Sequence, residues 1–175
     1  MKRKIILLLA VSLSTFLFAQ EDWKVLSEEN YSINYPENWT YSNKKPQPSI
    51  KFMLLADESS QEKDAFRENV NLTTESLGGN NIDSKDYTDF AIKQVKAQMP
   101  SAKIISNKSI KIDGRDAQEV IWSGDFGNGM LLKFKQVLLA YNDTGYVLTF
   151  SSTEAEFDNY IIDGDKILNS FKLAK

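Results

Sequence analysis

The chain has 175 residues, carries 21 lysines and arginines against 24 acidic residues, and contains neither cysteine nor histidine. Lack of thiol and imidazole excludes Ser-His-Asp and Cys-His nucleophile systems, disulfides, and zinc, copper, haem or iron–sulfur sites built on those ligands. The chemistry left belongs to carboxylates, lysine, tyrosine and serine, or to hard cations held by oxygen.

The first 19 residues, MKRKIILLLAVSLSTFLFA, read as an export leader. Lys2, Arg3 and Lys4 precede an apolar run from Ile5 to Phe18, and Ala19 supplies a small residue before the polar Gln20. That order is what an export channel and its peptidase recognise, so cleavage is expected between Ala19 and Gln20. The apolar run is shorter than the roughly 20 residues a spanning helix needs. A lipid anchor would require a cysteine at the cleavage point. Loss of the three basic residues leaves 18 basic against 24 acidic residues, a net charge of −6. An acidic surface disfavours nucleic acid and anionic lipid as partners. Residues 20–175 are expected to form one domain, large enough to bury a core without disulfides.

Tyr31, Ile33 and Tyr35 alternate with polar residues, the period of a half-buried strand, and Pro36 to Trp39 makes a turn. Ser49 to Ala56 is apolar enough for an interior strand, and Asn69 to Thr74 alternates again. Gly78 to Asn81 breaks the chain, after which Asp83 can cap a helix. Its apolar stripe is Tyr87, Phe90, Ala91, Val95 and Met99, and Pro100 ends it.

Strands return from Lys103. Asp113-Gly114 signals a two-residue hairpin, GDFGNG (124–129) a second turn and Asn142 to Gly145 a third. These short connections require antiparallel pairing. Thr153 and Glu156 fit a capping box for a closing helix whose inner face is Phe157, Tyr160, Ile161, Ile167, Leu168 and Phe171. Gly164 should weaken that helix by about 1 kcal/mol relative to alanine. The order β-β-β-β-α-β-β-β-β-α implies an α+β domain, a mainly antiparallel sheet covered by two principal helices.

The stretches YSINYPENW (31–39), ENVNLT (68–73), SKDYTDFAIKQV (84–95), IISNKSIKIDGRDAQEV (104–120), KQVLLAYNDTGYVLTFSSTEAEFDNY (135–160) and KILNSFK (166–172) resemble the PsbP-like superfamily. That superfamily also includes the DcrB family and a Ran-binding nuclear factor. The resemblance covers nearly all of the exported part and implies an α/β/α sandwich and a non-enzymatic accessory or binding module. The metal contacts proposed for PsbP involve histidine, and the DcrB lipoproteins carry a lipid-bearing cysteine; this chain has neither. No functional residue of the family transfers to a numbered position.

Candidate sites in the chain are few. Asp57, Glu58, Glu62 and Asp64 could offer oxygen to calcium, but the spacing is not that of an EF-hand loop and a solvated loop is expected. Trp39 and Phe126 lie in turns and are candidates for a partner-binding patch, whereas Trp122 should face the core. GDFGNG lacks the Lys-Ser/Thr ending of a phosphate loop and leads into a strand. The expected function is an exported, periplasmic or secreted, monomeric module without cofactor that binds an envelope protein. The competing classes are a hydrolase of envelope polymer using paired carboxylates, and a carrier of a small ligand.

Overall fold

The computed structural model describes residues 23–174 except 45 and 128. The leader and the Ala19–Gln20 bond lie outside the described residues. In chain order the elements are β1 (Trp23–Ser27), β2 (Tyr31–Pro36), β3 (Thr40–Ser42), β4 (Ile50–Leu55), a 3₁₀ turn (Glu58–Glu62), β5 (Asn69–Ser76), α1 (Ser84–Gln98), β6 (Lys103–Ile112), β7 (Arg115–Asp125), β8 (Leu131–Tyr141), β9 (Thr144–Thr153), α2 (Phe157–Asn169) and β10 (Lys172–Leu173). They form a three-stranded sheet, β1-β2-β10, and a seven-stranded sheet, β3-β4-β5-β9-β8-β7-β6. Every pairing is antiparallel, as the short turns demand. The domain is α+β.

Alternation along β8 sorts the two sides of the large sheet. Leu132, Phe134 and Leu138 join a core with Val120, Trp122 and the α1 residue Tyr87. Val137 and Leu139 point the other way, into a core with Leu148, Phe150 and the α2 residues Phe157, Ile167 and Leu168. The small sheet adds Ile33, Tyr35 and Leu173 to that second core. One helix therefore covers each face, and the small sheet shares the α2 side.

Local chemistry fixes the ends of the elements. Asp83 accepts the amide of Asp86 at 2.8 Å and caps α1. Asp113 and Gly114 both take positive φ, as do Asn142 and Asp143, which suits tight hairpins twisted to match their strands.

Three local expectations are corrected. Phe90 is 56% exposed. At 100° per residue the inward arc of α1 centres on Tyr87, Thr88, Ala91, Ile92 and Val95, and Phe90 falls outside it. The capping box does not form: α2 begins only at Phe157, after Glu156, whose side chain makes no cap bond. Thr153 is still in β9 and donates instead to Asp64 at 2.6 Å. Finally, the first β-segments include β1 and β3 flanking the expected strands, and β10 adds two residues after α2.

Gly164 proves to be a packing requirement. A Cβ there would stand 2.8 Å from Cγ of Phe150, a ring with no solvent exposure. Overpacking of this kind costs about 1–3 kcal/mol, more than the ~1 kcal/mol alanine gains as a helix former. Gly164→Ala is therefore expected to lower the urea midpoint. A raised midpoint would show that α2 can shift away from the sheet.

Candidate functional site

The acidic segment folds into local contacts. Asp57 caps the 3₁₀ turn, accepting the Ser59 amide at 3.0 Å and its hydroxyl at 2.6 Å. The Ser59 hydroxyl and amide hold the Asp57 carboxyl below its ordinary value. Glu58 reaches toward Arg67 at 3.7 Å, and Asp64 accepts from the Phe66 amide and Thr153. Glu62 is exposed on the last residue of the turn. Among the described residues no group of three or more acids is placed to hold a metal ion, these four included. Two of the four are spent on the turn's own backbone and on β9.

The two turn aromatics part company. Trp39 is 2% exposed and belongs to the α2-side core, so it is not available as a partner-binding residue. Its amide donates to the Pro36 carbonyl at 3.0 Å, closing a turn that carries the indole back under the sheet. Phe126 is 48% exposed at the β7–β8 hairpin, with one side of its ring resting on Phe134 at 5.5 Å. Trp122 stacks on the same Phe134 at 4.3 Å and faces the α1-side core, as expected.

Two further apolar side chains are exposed on this hairpin. Met130 and Leu131, on the returning arm of the hairpin, are 42% and 48% exposed. They border an open groove of about 590 Å³ completed by Asp64, Gly129, Thr153, Glu154 and Ala155. Met130 and Leu131 thus meet at one groove, whereas Phe126 lies against Phe134 and is not among the residues that line it. Only Phe126 stood out in the sequence; Met130 and Leu131 read there simply as the start of a strand.

At the other end of the sheets lies a second cleft, of about 620 Å³, that no sequence motif announced. Its walls come from the β1–β2 turn (Glu28, Glu29, Asn30, Tyr31), Lys51 of β4, Thr74 of β5, and the β8–β9 turn region (Tyr141, Asn142, Thr144, Tyr146). Leu173 and Ala174 close it. The Ala174 amide donates to the Asn30 carbonyl at 2.9 Å, and the Leu173 amide donates to Asp113 at 3.2 Å. Asp113 also pairs with Arg115, whose guanidinium lies 4.5 Å from the Tyr141 ring centre. Burial, then the Glu28 and Tyr41 charges, push the Tyr31 hydroxyl up to about 12, so it stays a protonated donor at physiological pH.

Polar chemistry on the α2 side is a lysine-centred ion network. Lys135 of β8 lies 3.0 Å from Glu119 of β7 and 2.6 Å from Asp165 of α2. Lys108 of β6 reaches Glu119 from the other side at 2.9 Å. Burial pushes the Glu119 carboxyl up, but the bonds and charges of Lys108 and Lys135 outweigh it and hold it below its ordinary value. Both acids are thus engaged by a cation, which is the arrangement of a structural network rather than of a split acid/base pair.

The family described as PsbP-like protein matches residues 14–173. The chain belongs to the PsbP-like family. Solved structures agree on the fold. Cyanobacterial PsbP (CyanoP) from Synechocystis sp. PCC 6803 superposes with a TM-score of 0.64 at 16% identity, covering 87% of this chain and 92% of that one. PA94, a Pseudomonas aeruginosa protein of unknown function, gives 0.61 at 15% identity, covering 85% and 94%. LpqN of Mycobacterium tuberculosis, involved there in cell envelope biogenesis, gives 0.59 at 13% identity, covering 89% and 92%. No curated protein matches the sequence. At such identities the likeness is one of fold, and function must be argued from this PsbP-like domain's own surfaces. No helix among the described residues is long and apolar enough to cross a membrane.

Proposed function

We propose that this PsbP-like protein is exported to the cell envelope and serves there as a non-catalytic accessory module, binding a partner protein through the β7–β8 hairpin. The observation that carries the reading is the exposure of Phe126, Met130 and Leu131 on one hairpin, the last two lining an open groove. Burial of these side chains against a partner supplies the favourable term in association, and an exposed aromatic suits an anchor. Asp64 and Glu154 at the groove edge would favour a partner with basic groups at the rim of its contact surface. The leader-like first 19 residues and the family's fold are consistent with service outside the cytoplasm.

The test is capture of partners from the envelope fraction by the full chain, compared with Phe126→Ser and Met130→Glu. The expected result is a partner recovered at near-stoichiometric amount with the parent and lost with both variants. Met130→Glu should shift stability by no more than about 0.5 kcal/mol, as exposed substitutions usually do. Recovery of no partner, or recovery unchanged by both substitutions, would remove the hairpin from the function.

A further inference from the structure

We infer that the tyrosine-lined cleft between the two sheets is a binding site for a neutral oligosaccharide. The site is separate from the hairpin groove and shares no lining residue with it. Its volume, about 620 Å³, lies within the range of small-molecule sites.

The floor is aromatic and anchored. Tyr31 stacks on the buried Phe171 at 6.0 Å, and Tyr146 meets the same ring at 6.4 Å. Tyr31 is also held against Phe52 at 5.7 Å. These rings are half-buried, so little side-chain freedom is left to lose when a ligand lies against them. Tyrosine offers an apolar face for C–H groups and a hydroxyl for hydrogen bonding.

Charge and polarity of the walls select the ligand class. Glu28 and Glu29 face one lysine, Lys51, which disfavours an anion. A cationic ligand would meet Lys51, and the Tyr141 ring already has the Arg115 guanidinium against it. A wholly apolar ligand would strip water from both carboxylates, Lys51, Asn30 and Asn142 without replacing it. What remains is a neutral molecule with C–H faces and many groups that both donate and accept. Asn30, Asn142, Thr74, Thr144 and the Tyr31 hydroxyl provide the matching mixed set. A saccharide has that chemistry, and the open cleft lets a chain run through it.

The experiment titrates the purified full-length protein with cellotriose, maltotriose and tri-N-acetylchitotriose, following the tyrosine ring signals by NMR. Spermine and citrate serve as charged controls. At least one of the three sugars should shift the Tyr31, Tyr141 and Tyr146 signals with a Kd of roughly 0.1–5 mM. The affinity should be unchanged by about 0.5 M salt, since no ion pair is formed. Tyr146→Ala should weaken binding about tenfold or more, and the exposed Asn30→Ala about threefold, the latter with an unaltered melting curve. No shift at about 20 mM of any sugar would overturn the inference. So would tighter, salt-sensitive binding of spermine or citrate, or saccharide binding indifferent to both substitutions.

Discussion

Trp39→Ala is expected to destabilise the domain by about 3–5 kcal/mol, a large part of the total stability of an ordinary domain. In the sequence Trp39 stands in a turn after Pro36, where an indole could as well reach outward to a partner. The structure buries it among the α2-side core residues, in a cluster that includes Ile33, Phe52, Leu54 and Ala56. Truncation removes the transfer free energy of the ring and leaves a cavity that the surrounding strands can only partly fill. Phe126→Ala provides the contrast, because half of that ring is already in water. Urea unfolding of the two variants should show a large loss of midpoint for Trp39→Ala and a loss of about 1 kcal/mol or less for Phe126→Ala. A Trp39→Ala protein with the parent's midpoint would mean that the indole is a surface group after all.

Trp39 also shows where reading the chain stops working. Signals that act within a few residues were legible: the alternation of Ile33 and Tyr35, the Asp83 cap, the Asp113-Gly114 hairpin and the Trp122 side of β7 all correspond to the structure. Signals that depend on a distant partner were not. Thr153 and Glu156 have the spacing of a capping box, yet Thr153 bonds Asp64 and Glu156 bonds Lys63, both from the loop after the 3₁₀ turn. β10 is two residues long and exists because Lys172 and Leu173 pair with Ser32 and Tyr31, far back in the chain. The same distinction divides the surfaces. Phe126 could be picked out in its turn, and Met130 and Leu131 lie on the same hairpin. The tyrosine cleft draws on residues 28–31, 51, 74, 141, 142, 144, 146 and 173–174, with no spacing that ties them together. Tyr31 and Tyr146 look in sequence like ordinary strand residues. Only the antiparallel insertion of β5 beside β9, and the small sheet above them, brings their turns to one end.

Lys135→Met should cost about 3–5 kcal/mol near neutral pH, the usual penalty for breaking a buried ion pair from one side. The lysine and Glu119 side chains are only 11% and 9% exposed. Removing the ammonium leaves Glu119 and Asp165 facing the gap, with only the largely exposed Lys108 still on Glu119. Methionine fills much of the volume, so the loss isolates charge from packing. The pH dependence gives the prediction its sign. Glu119 has a folded pKa below its ordinary 4.5, so its contribution is present above that value and disappears as pH falls through the folded pKa. For Lys135, burial lowers the pKa but Asp165 and Glu119 outweigh it and raise it above 10.5. Its contribution is therefore complete below 10.5 and lost only as pH rises through the folded value. Between those limits the network is intact. In the variant, burial of Glu119 acts with less opposition, and protonation relieves the unpaired charge. The stability gap between parent and Lys135→Met should accordingly be widest at pH 7 and narrow as the pH is brought below 4.5. Urea midpoints of the two proteins across that range measure the gap directly. A variant as stable as the parent at pH 7 would show that Lys108 alone neutralises Glu119, and that Lys135 is dispensable for joining α2 to the sheet.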